Sequence, residues 1–169
     1  MPWDERFAAM EHDLTLQAET EAGVEREQEI NDLATERSAQ LSWADRCLGL
    51  HVTVRVVTAG IVRGELAMVT ADWVLVHHDG ATDWVVALRD VVSVVPSGGT
   101  PVTSRGEVQR RMTWRQAWNA LVRDRDEVHV LRRDGSSVRG IPVVTGFDHV
   151  EIAGELVPYE AVVAVRCPR

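Results

Sequence analysis

Apolar and polar positions change period twice along this chain. From Asp4 to about Cys47 the apolar residues step at helical spacing: Trp3, Phe7, Met10 and Leu14 fall four, three and four apart, and Ile30, Ala34, Leu41, Ala44 and Leu48 resume the stripe after a polar stretch around Gly23. Glu, Ala, Gln and Arg, all good helix formers, fill the remainder. This predicts a long N-terminal helix over residues 1–46, with too thin an apolar seam to stand alone in water.

At His51 the period becomes two. Val52, Val54 and Val56 alternate with polar neighbours, and further short strands follow around Ile61 to Val69, WVLVHH, DWVVAL and VVSVV, with Asp79-Gly80 as a hairpin signal. Five strands in so few residues predict a small barrel over residues 47–96, whose closure would remove exposed edges. Residues 97–111 have the Pro, Gly and Ser content of a linker. Thr113 with Gln116 then reads as a capping box, and Trp114, Ala117, Trp118, Leu121 and Val122 lie on one helical face. Strands return from VHVL to AVVAV, giving a helix plus a second barrel over residues 112–169.

The two halves repeat. Val62-Arg63-Gly64 matches Val138-Arg139-Gly140, Asp72 matches Asp148, and Trp43 matches Trp114. The offset is 71 residues at the helix and 76 at the second strand, and laying ALRDVVSVV on VPYEAVVAV makes it 70 at the last strand. The expected fold is therefore α+β but mainly β: a long N-terminal helix, then two tandem five-stranded barrels, the second preceded by its own helix.

A leading helix, five short strands, and an Asp just before the apolar triplet of strand three resemble the Sm-like or SH3-like small barrels. The whole chain, from MPWDERFAAMEHDL onward, also resembles a family of actinobacterial proteins whose genome labels often read Fis-type transcriptional regulator. That label implies a helix-turn-helix where this chain alternates like strands. The Sm-like resemblance would imply an RNA site with Asn two residues after the strand-three Asp and an Arg-Gly pair near strand five. Here Asp72 precedes Trp73-Val74, Asp148 precedes His149-Val150, and neither Leu88-Arg89-Asp90 nor Tyr159-Glu160-Ala161 contains Arg-Gly.

Charge sharpens the functional expectation. The net −8 is concentrated in residues 1–46, which hold 12 acids and 4 Arg, whereas residues 104–169 hold 9 acids and 11 Arg. Arg110, Arg111, Arg115, Arg132 and Arg133 could bind nucleic-acid phosphates, but Asp124, Asp126, Glu127 and Asp134 interleave with the arginines of this region. Trp3, Phe7, Met10 and Leu14 are the expected partner-binding residues, pairing residues 1–46 as a homodimer or with a partner helix. His77 and His78 are adjacent on a strand and point to opposite faces, so they do not share a metal. No catalytic, cofactor or metal site is expected. Two distant cysteines and the absence of a long apolar run point to a cytoplasmic, non-membrane protein. The expected function is a non-catalytic interaction, scaffold or regulatory protein, with nucleic-acid binding by the arginines as the alternative.

Overall fold

The computed structural model describes residues 42–102, apart from positions 79 and 81, and residues 111–168. A one-turn helix α1 (Trp43–Cys47) leads into β1 (Leu50–Val56), β2 (Gly60–Val69), β3 (Trp73–His78) and β4 (Thr82–Ala87), followed by a 3₁₀ turn (Leu88–Asp90) and β5 (Val91–Gly99). The second half comprises α2 (Trp114–Asp124), β6 (Val128–Arg132), β7 (Ser137–Gly140), β8 (Pro142–Thr145), β9 (His149–Ile152), β10 (Glu155–Pro158), a 3₁₀ turn (Tyr159–Ala161) and β11 (Val162–Pro168).

Two separate tandem barrels are not what forms. One eight-stranded sheet, in the order β5-β1-β2-β3-β4-β11-β6-β7, runs through both halves, and β10-β9-β8 make a second, three-stranded sheet. The halves are fused where β4 pairs antiparallel with β11, from Val86 opposite Ala164 to Thr82 opposite Pro168. The long helix expected over residues 1–46 lies, up to position 41, outside the described residues; of that region they include the single turn α1. Among the described residues α2 alone exceeds two turns. It starts where the sequence placed it, with the Thr113 backbone N–H donating to Gln116 Oε1 at 2.6 Å.

The internal repeat is nonetheless written in the backbone. Val57 N–H donates to the Asp90 carbonyl at 2.9 Å, as Arg133 N–H does to Ala161 at 3.0 Å. Leu88 N–H donates to Asp72 and Tyr159 N–H to Asp148, at 2.9 and 2.8 Å. Val52 stands opposite Gly64 and Val128 opposite Gly140. The matching 3₁₀ turns set the offset of the last strand at 71 rather than 70. Five residues are missing from the β9–β10 hairpin relative to β3–β4, where Trp73 opposite Ala87 corresponds to His149 opposite Pro158.

The fusion follows from side-chain distribution. Val86 of β4 packs into the core of the first half, with Val54, Leu66 and Val74, while its neighbour Val85 packs into that of the second, with Val130, Val150 and Trp118. On β11, whose pairing with β6 shifts register between Val162 and Ala164, Val163 and Ala164 both serve the first core, and Val162 and Val165 the second. Successive strand residues face opposite sides, so apolar neighbours on a strand suit a wall buried on both faces. β4 and β11 are that wall. Among the described residues no helix is long and apolar enough to cross a membrane.

Candidate interaction surface

The two 3₁₀ turns meet at the joint between the halves. Arg89 reaches from the first turn to the second, donating through Nη1 to Glu160 Oε2 at 2.8 Å and through Nη2 to the Tyr159 and Glu160 carbonyls at 2.9 and 2.7 Å. Arg133 reaches back the other way, its Nη2 lying 2.9 Å from Asp90 Oδ1. Asp90 is 4% exposed, and its second cationic neighbour is Arg89 Nε at 3.5 Å. A buried carboxylate is tolerated only when paired and hydrogen-bonded, so this clasp orders both turns.

Beside the clasp runs a groove lined in part by Asp72, Arg115, Phe147, Tyr159 and Glu160, together with the buried Trp114. Trp114 itself is held between Trp73 of the first half, with ring centres 6.5 Å apart, and Trp118, at 6.3 Å. The groove's rim carries Phe147, which is 87% exposed. The turn that presents it is fixed from beneath. The Tyr159 hydroxyl donates to the Gly146 carbonyl at 2.9 Å, and a side chain at Gly146 would meet the His149 ring. Burial pushes the Tyr159 hydroxyl above its ordinary pKa, with Arg115 opposing. Beside it, the hydrogen bond from His149 holds the Asp148 carboxyl below its ordinary pKa. Ile141, Val143, Val144 and Leu156 of the same half are also exposed, so the small sheet is apolar outward as well as inward.

The residues singled out from sequence fall in several places. Trp3, Phe7, Met10, Leu14 and Arg110 lie outside the described residues. Arg111 is exposed ahead of α2, and Arg115 lines the groove. Arg132 pairs with Glu155, and Arg133 with Asp90. His77 Nδ1 lies 2.8 Å from Asp83 Oδ1, while His78 Nδ1 donates to the Arg63 carbonyl at 2.6 Å. No group of three or more His, Cys, Asp or Glu that could hold a metal occurs among the described residues. Trp73 fills the second half's core rather than its own, and Trp84 packs part-buried against the first. Phe147, Arg89 and Asp90 went unread in the sequence. An aromatic side chain directly after a turn glycine was the available signal for the first, and nothing local marked the other two.

No protein-family model matches the chain, and no curated protein matches it by sequence.

Proposed function

We propose that the protein is a non-catalytic interaction protein that holds a partner protein against the small sheet of its second half and the adjoining groove, with residues 1–46 supplying a further contact. The observation that carries this reading is the exposed run Ile141, Val143, Val144 and Phe147, ending at a groove rimmed by Arg115, Asp72 and Glu160. An apolar patch with an aromatic anchor and a charged rim has the make-up of a protein-binding surface. The pairing of Arg132 and Arg133 with Glu155 and Asp90 supports a protein partner over nucleic acid, because a phosphate would have to displace those carboxylates.

Cross-linked capture of the full chain from native cells, with and without nuclease, tests the reading. A partner held by the wild type is expected to survive nuclease and to be lost from Val143→Ser/Phe147→Ser, whose unfolding midpoint should stay close to wild type because both side chains are exposed. A complex dispersed by nuclease would instead favour binding of RNA or DNA.

A further inference from the structure

The joint inside the chain has an unused counterpart on its outside. The fourth strand of the first half, β4, pairs with the fifth strand of the second, β11. Under the repeat correspondence, the fourth strand of the second half is β10 and the fifth of the first is β5. Among the described residues β10 pairs with β9 alone and β5 with β1 alone, so each keeps one open edge. These two edges are complementary in kind, since each is the repeat equivalent of a strand already joined to the equivalent of the other.

The tryptophans at the helix starts give a second, independent sign. Trp114 is 4% exposed because the first half covers it with Trp73. Its counterpart Trp43 is 37% exposed and lies in a groove with Arg46, Leu50, Val92, Val94 and Pro96, between α1 and β5. The repeat equivalent of Trp73 is His149, on β9 beside the open β10 edge. Apolar side chains also stand exposed on both strands: Val92 and Val95 on β5, Leu156 on β10. An exposed edge with apolar side chains is a template for pairing with another chain.

We infer that a second copy of this chain docks its β10 edge antiparallel onto the β5 edge of the first, head to tail, and covers Trp43 as the first half covers Trp114. Transferring the internal register places the second copy's Leu156 opposite Val94, and its Glu155 opposite Val95, by analogy with Val85 opposite Val165 and Trp84 opposite Arg166. The contact joins unlike surfaces, so it builds rings or open chains rather than a closed two-fold dimer. The shorter β9–β10 hairpin offers fewer residue pairs than β4, which makes the association weaker than the internal joint and dependent on concentration. This contact uses the β10 edge of the small sheet, whereas the partner surface proposed above centres on Ile141, Val143, Val144 and Phe147, and it does not depend on any pairing of residues 1–46.

Cysteine pairs in the full chain test it. Facing positions on paired strands lie within reach of a disulfide, and the native Cys47 and Cys167 are buried. Val95→Cys protein mixed with Glu155→Cys protein and oxidised should give several-fold more disulfide dimer than either alone, and the double variant should give a ladder of higher species. Adding Leu156→Asp to the Glu155→Cys chain should abolish the cross-link without moving the unfolding midpoint. Adding Trp3→Ala/Phe7→Ala should leave it intact. A mixture that cross-links no better than its components, or a cross-link that survives Leu156→Asp but fails with Trp3→Ala/Phe7→Ala, would overturn the inference.

Discussion

Asp90 of the first half accepts the Arg133 guanidinium of the second at 2.9 Å on Oδ1 and 3.2 Å on Oδ2, with the carboxylate buried and the arginine half exposed. The pair therefore links the halves through charge as well as through strand pairing. Arg133→Ala leaves the buried carboxylate with only the more distant Arg89 Nε, and should lower stability by roughly 1–3 kcal/mol. A denaturant double-mutant cycle with Asp90→Ala is expected to return a coupling of about 1 kcal/mol. Additive effects would show that the clasp contributes no interaction energy.

The shared wall predicts one cooperative transition. Val85→Ala, on β4 of the first half, removes packing from the core that holds Trp118, at a cost on the order of 2 kcal/mol. Hydrogen exchange should accelerate together at Val54 and Val130, one in each core. Protection lost at Val130 alone would mean that the halves unfold separately.

The two matched glycines should respond differently. A Cβ at Gly64, where φ is +152°, would sit 1.9 Å from the His77 carbonyl oxygen, so Gly64→Ala forces β2 and β3 apart. At Gly140 the nearest atom would be Ala153 Cβ, at 3.3 Å. Thermal unfolding should show Gly64→Ala destabilised by about 2 kcal/mol or more, and Gly140→Ala by under about 1 kcal/mol. Equal losses would contradict the assignment of the close approach to β2 alone.

Burial pushes the Cys167 thiol up to about 11 from an ordinary 9.0, with the Asp83 and Asp126 carboxylates adding to the effect. The unfolded chain releases this proton first as pH rises. The thiol's contribution to stability is thus complete below pH 9 and lost between about 9 and 11. Cys167→Ser should flatten the fall of stability across that window, measured by denaturant titration. At pH 8 the native thiol should alkylate far more slowly than the denatured one.

Much of the local structure could be read directly. Alternation at Val52, Val54 and Val56 placed β1, the capping pair Thr113 and Gln116 placed α2, and the Arg-Gly repeats placed equivalent strands opposite Gly64 and Gly140. What hid the joining of the halves was the meaning of Val85-Val86 and of Val162 to Val165. Consecutive apolar residues on a strand mark burial on both faces, yet periodicity cannot say which element covers the second face. Trp73 was obscure for the same reason, since its burial depends on Trp114. The exposed patch was not legible, because adjacent valines such as Val143 and Val144 do not say which faces of a strand are covered.

Synthesis must also contend with the wall. Every strand of the first half exists once Gly99 has been made, but its core still lacks Val163 and Ala164, which lie beyond α2 and five further strands. While the ribosome extends the chain, β4 holds an unpaired apolar edge and the first half waits unfinished. That interval is when a growing chain is most exposed to mispairing with its neighbours on the same message.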